Sequence, residues 1–76
     1  MSEERAIILK PKSADLREID EAKELLKNSG YEVVVVETGP GDTTLLMPFG
    51  IYRGRRLRAL LRRMRAVLQA RKQSAS

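Results

Sequence analysis

The sequence contains no cysteine, no histidine and no tryptophan, and its aromatic residues are confined to Tyr31, Phe49 and Tyr52. Without Cys or His there is no Ser-His-Asp or Cys-His nucleophile, no thiolate redox centre and no zinc site built from the usual nitrogen and sulfur ligands. A disulfide framework is excluded as well, so cysteine usage gives no indication of compartment. No strictly apolar run is longer than the four residues Val33 to Val36, far short of the roughly 20 that cross a bilayer. The start, Met1-Ser2-Glu3-Glu4-Arg5, lacks the basic segment and apolar stretch of a signal peptide. A soluble, cytoplasmic chain without a membrane partner is expected. Few aromatics also means few platforms for stacking single-stranded bases, and Phe49 is expected in the core.

Aliphatic residues, by contrast, are plentiful. Of 76 residues, 32 are apolar, and 22 of those are Leu, Ile, Val or Met, too many for a disordered chain. A chain of this length makes one domain, here residues 1–76, with 1–4 and 73–76 expected to be disordered. At about 60 residues a domain buries only roughly 60% of its unfolded surface, so one modest core is all that can form.

Charge is the most pronounced pattern. Residues 1–42 hold all ten acids and six bases, a balance of 6 − 10 = −4, whereas residues 43–76 hold nine bases and no acid. Eight of those nine are Arg, which forks onto phosphate or carboxylate and stays charged at any working pH.

Ala6 to Leu9 reads as a first strand, stopped by Lys10-Pro11. Asp15 followed by Glu18 predicts a capping box, with Ser13 as an alternative cap one turn earlier. Leu16, Ile19, Ala22, Lys23 and Leu26 then recur at helical spacing, widened by Leu25, and Gly30 stands where a left-handed cap ends a helix. Tyr31 to Glu37 is a β-branched second strand, in a parallel crossover from the first. After the turn at Thr38 to Asp42, Thr43 to Met47 and Ile51 to Arg53 form a hairpin around Pro48-Phe49-Gly50. Gly54 precedes a long helix with Leu57, Leu60, Leu61, Met64, Val67 and Leu68 on one stripe, fraying into Gln73 to Ser76. The expected class is α/β with a single small sheet, in the order β-α-β-β-β-α.

With a strand leading to Lys10-Pro11, a helix carrying Glu21-Ala22-Lys23-Glu24-Leu25-Leu26-Lys27, Gly30-Tyr31 entering a strand, and a hairpin ending at Tyr52-Arg53-Gly54 before an amphipathic helix, the chain resembles a shortened, cysteine-free thioredoxin-like domain of the glutaredoxin type. Two departures stand out. Pro11-Lys12-Ser13-Ala14-Asp15 occupies the place of the family's cysteine motif, which removes redox activity, and only the turn near residues 38–43 replaces the family's middle helix. The resemblance implies that both helices share one sheet face.

Val33 to Val36, Ala6 to Leu9 and Leu45 to Met47 are apolar at consecutive positions, so both sheet faces are greasy. With both helices on one side, the other exposes on the order of several hundred square ångströms, a size that marks interaction sites. A homodimer through that face or a strand edge is expected; one helix on each face is the arrangement that needs no partner.

Four clusters are candidate sites. Arg55, Arg58, Arg62, Arg65 and Lys72 fall within about 60° of one line on the last helix, a ridge about 25 Å long, with Arg56 and Arg63 on the other flank. Such a ridge fits a DNA or RNA backbone without base reading, or an acidic protein; pairing with the acidic first helix is the plain alternative. Arg53, Gly54, Arg55 and Arg56 crowd a helix start that has no Ser, Thr, Asp or Asn cap, which suits an anion or an internal carboxylate. Gly39-Pro40-Gly41-Asp42-Thr43-Thr44 lacks both the third Gly of a dinucleotide loop and the Gly-Lys of a P-loop, and reads as a reversing turn. Asp15, Glu18, Asp20, Glu21 and Glu24 spread around a helix exterior and read as a solvated face, with neither metal nor cofactor implied. The resulting expectation is a non-catalytic module that self-associates and offers its Arg-rich helix to an acidic partner, or else binds nucleic acid without sequence preference.

Overall fold

A computed structural model of the protein describes residues 4–75. Strand β1 (Arg5–Pro11) is followed by helix α1 (Leu16–Asn28), strands β2 (Glu32–Thr38), β3 (Thr44–Met47) and β4 (Gly50–Arg53), and helix α2 (Arg55–Ala75). The four strands form one mixed sheet in the order β2-β1-β3-β4. β1 runs parallel to β2 and antiparallel to β3, and β3 and β4 form a hairpin. The fold class and element order are those read from the sequence.

Local chemistry accounts for the element ends. Asp15 caps α1: its carboxylate accepts from the Arg17 backbone N–H at 2.9 Å, so the cap is Asp15 rather than Ser13. At the other end Gly30 has φ +94°. There Tyr31 N–H donates to the Leu26 carbonyl at 3.0 Å and Gly30 N–H to that of Lys27 at 3.1 Å, the paired pattern of a left-handed helix stop that favours glycine. β1 runs two residues beyond Leu9 because the parallel register continues through Lys10↔Glu37 and Pro11↔Thr38. The Thr38 hydroxyl donates to the Lys10 carbonyl at 3.4 Å, so Pro11 does not stop the strand as expected. Within the stretches 1–4 and 73–76, where disorder was expected, Glu4 accepts a backbone bond from Glu32 at 2.9 Å and α2 spans Arg55–Ala75. The rest of that expectation lies outside the described residues.

The core is small and lies on one side of the sheet. Ala6, Ile8, Leu45 and Met47 from the strands meet Ile19, Ala22 and Leu26 from α1. Helix α2 packs against this cluster with Leu57, Leu60, Leu61 and Met64, all half-buried, and it supplies none of the fully buried side chains. It touches α1 and the edge strand β4, so both helices share one sheet face, as the resemblance implied. Leu16 does not join the core: it holds the first helical position, ahead of the turns that lie on the sheet, and is exposed. Val67 also leaves the expected stripe and is exposed. No helix among the described residues is long and apolar enough to cross a membrane.

Candidate interaction surfaces

Strand alternation decides what the opposite sheet face presents. Since Ala6, Ile8, Leu45 and Met47 point to the helices, Ile7 and Leu9 on β1 point away, and the register carries the rule across the sheet. Val34, Ile7, Leu46 and Ile51 stand side by side in one row, and Val36, Leu9, Thr44 and Arg53 in the next. Six of these eight side chains are aliphatic. Val36 and Ile51 are exposed, the other four aliphatics half-buried, and no helix covers them. The rim is polar: Arg5 and Glu32 form an ion pair at 3.9 Å at one end, and Arg53 Nε donates to the Thr44 hydroxyl at 3.3 Å at the other.

The helical side carries the charge. Of the ridge residues Arg55, Arg58, Arg62, Arg65 and Lys72, all exposed, only Arg65 makes an ion pair among the described residues, with Glu21 of α1 at 3.6 Å. Yet a groove of about 360 Å³ between the helices brings Arg58, Arg62 and Arg65 to one wall and Glu18 and Glu21 to the other. The middle of the ridge therefore faces carboxylates across the groove, closing onto them only at Arg65–Glu21 among the described residues, while Arg55 and Lys72 lie outside it.

The cluster at the start of α2 has three different sets of neighbours. Arg53 turns to Thr44 on the open sheet face, and the Arg56 guanidinium lies over the Tyr52 ring, 5.2 Å from its centroid. Arg55 is exposed. Gly54 reverses the chain with φ +59°, which a side chain resists. The Gly39 to Thr44 segment is a bend joining β2 to β3 past the end of β1, with Gly41 at φ +136°. No three acidic side chains among the described residues converge into an arrangement that could hold a metal.

Comparison with known protein families, with curated proteins and with solved structures finds no match. The arrangement of side chains is therefore what speaks for function.

Sequence reasoning placed Arg56 and Arg63 on the second flank of α2 but did not find the groove beside it. A groove of about 350 Å³ runs between α2 and the β3–β4 hairpin, and it gathers Tyr31, Phe49 and Tyr52 with Arg63, Met64 and Arg71. Phe49 is 58% exposed, against the expectation that it lies in the core. It sits in the two-residue turn between Met47 and Gly50, where the chain leaves the sheet, and its ring meets Tyr52 edge to face at 5.8 Å and 73°. The signal available in the sequence was the spacing of Arg56, Arg63 and Arg71, seven and eight residues apart, which places them along one side of a helix.

Proposed function

We propose that this protein is a small non-catalytic interaction module that pairs with a second copy of itself through the open sheet face. The pairing displays two copies of α2 to an acidic partner. The observation that carries the reading is the double row of Ile7, Leu9, Val34, Val36, Leu46 and Ile51 on the sheet side that no helix covers. Among the described residues the buried apolar core holds seven side chains, and no disulfide can reinforce it. Small domains of this kind gain stability by oligomerisation.

A face roughly 14 Å across its strand axes and about 20 Å along them, pressed on its twin, covers about 280 Å² of each chain, on the order of 600 Å² in all. That is smaller than a standard specific interface, so the pairing is of the weak class. Two sheets packed this way form a four-layer α/β/β/α stack with both basic helices outermost. Pairing through the edge of β2 is the alternative route, and one residue separates the two. Ile51 lies on β4, at the far side of the sheet from β2.

The test is molar mass by light scattering at micromolar concentration. We expect twice the chain mass of 8.6 kDa for the native sequence and a single chain for Ile51→Arg. A native monomer refutes self-association, and a dimer that survives Ile51→Arg refutes the sheet-face interface.

The second reading is sequence-independent binding of a nucleic-acid backbone along Arg55, Arg58, Arg62, Arg65 and Lys72. The single ion pair among these residues supports it, and the nearness of Glu18 and Glu21 to Arg58, Arg62 and Arg65 weighs against it. The kinship with shortened thioredoxin-like domains is part of the proposal too, supported by the element order and by the two helices sharing a face.

A further inference from the structure

The two flanks of α2 differ in electrostatics. The groove toward α1 has carboxylates on one wall. The groove toward the hairpin has none: among the described residues that line it, Arg63 and Arg71 are the charged ones. Between them lie apolar Met64 and Val67, and all three aromatic rings of the chain stand along the other wall.

The rings are not equivalent. Tyr31 and Tyr52 are half-buried and pack against the core. One neighbour of the Tyr52 ring is the Arg56 guanidinium, and another is the edge-on Phe49. Phe49 itself is exposed, an apolar ring at a hairpin tip that lines the same groove as two guanidinium groups, which no carboxylate within 4.0 Å balances among the described residues.

We infer that this groove binds single-stranded nucleic acid, with a base stacked on Phe49 and backbone phosphates on Arg63 and Arg71. An aromatic ring accepts any base because every base has a π-face, and arginines beside it hold the phosphates, which is how single strands are bound without sequence preference. Eight residues of helix separate Arg63 from Arg71, about 12 Å along the axis, which sets the groove as a track for a few nucleotides rather than a pocket for one. A duplex keeps its bases stacked inside and cannot offer one to Phe49, so the groove discriminates between the two forms. The inference rests on the part of the proposed function in which α2 stays exposed, and it is independent of whether two chains pair.

The experiment is a titration of the whole protein with a fluorescein-labelled oligothymidine of about twelve nucleotides, in the site-size range of such proteins, over a salt series. Tyrosine emission serves as a second signal, since the chain has no tryptophan. Binding is expected to be at least about tenfold tighter for the single strand than for a duplex of the same length, with quenching of tyrosine emission. Phe49→Ala is expected to weaken it about tenfold, and Phe49→Tyr to keep it. Arg63→Ala with Arg71→Ala should flatten the log–log salt slope by about 1.4, at roughly 0.7 per phosphate, whereas Arg58→Ala with Arg62→Ala should leave the dependence on Phe49 intact. Circular dichroism confirms that each variant is folded. Equal affinity for duplex and single strand, unchanged binding by folded Phe49→Ala, no binding at about 50 mM salt, or displacement of the oligonucleotide by an equimolar polyglutamate peptide each overturns the inference. Light scattering on the same samples reports self-association separately, so either idea can fail while the other stands.

Discussion

Arg65 Nη2 lies 3.6 Å from Glu21 Oε2, and this is the sole ion pair joining the two helices among the described residues. Both side chains are more than half exposed, at 55% and 59%, so water screens the attraction. Exposed pairs of this kind contribute between about 0 and 1 kcal/mol. Glu21→Ala should therefore change unfolding free energy by less than about 0.5 kcal/mol in urea titrations. A larger loss would mean that charge, rather than the apolar contact of Leu57, Leu60, Leu61 and Met64, holds α2 in place.

Leu26 presents the opposite case. Its side chain is fully buried between α1 and the sheet, and it also lies at the C-terminal end of α1, where its carbonyl accepts from Tyr31. Truncating such a leucine removes its transfer energy and leaves a cavity, about 3 kcal/mol in all. With a buried apolar core of seven side chains among the described residues, Leu26→Ala should leave much of the population unfolded at 37 °C by circular dichroism. Leu16→Ala, on the exposed first turn, should shift the midpoint little.

The helix cap provides a paired comparison. Asp15→Ala removes the acceptor of the Arg17 N–H bond and should cost about 1 kcal/mol. Ser13→Ala should be near neutral, since the sequence offers Ser13 as a cap but Asp15 takes the role. Equal losses from both would show that the start of α1 is misplaced.

At Gly30 the backbone alone is at stake. A Cβ there meets no atom within 4 Å, so Gly30→Ala encounters no steric clash, only the penalty of a positive φ, about 1 kcal/mol. Gly30→Asn should recover part of that stability, because asparagine tolerates the left-handed region better. Thermal melts of the three forms should rank Gly30 above Asn above Ala.

The element order was legible because each element carries its own signal. Asp15 and Gly30 bracket α1, the β-branched run marks β2, and Pro48-Phe49-Gly50 marks the hairpin. The two-faced grease of β1 and β2 also forecast an uncovered sheet side. Burial at element ends was less legible. Phe49 and Val67 have the composition of core residues, but one sits in a tight turn and the other lines the open groove between α2 and the hairpin. Position along the fold, rather than side-chain chemistry, leaves them exposed. The split character of α2 was hidden for a related reason. Helical spacing sorted its arginines into two flanks, yet nothing local in the chain says that one flank faces Glu18 and Glu21 while the other faces three aromatic rings. That depends on which side of α2 meets α1, a tertiary fact.

The strand order has a consequence for how the molecule comes into being. β1 precedes the other five elements in the chain, yet it ends in the middle of the sheet, flanked by β2 and β3. Its second neighbour begins only at Thr44, so during synthesis one edge of β1 stays open until α1, β2 and the following bend have been made. Folding of this kind waits on distant pairing, which slows it and lengthens the interval of vulnerability to aggregation. The hairpin is thus the closing step for a strand made long before it, and α2 settles beside α1 and β4 only after the sheet is complete.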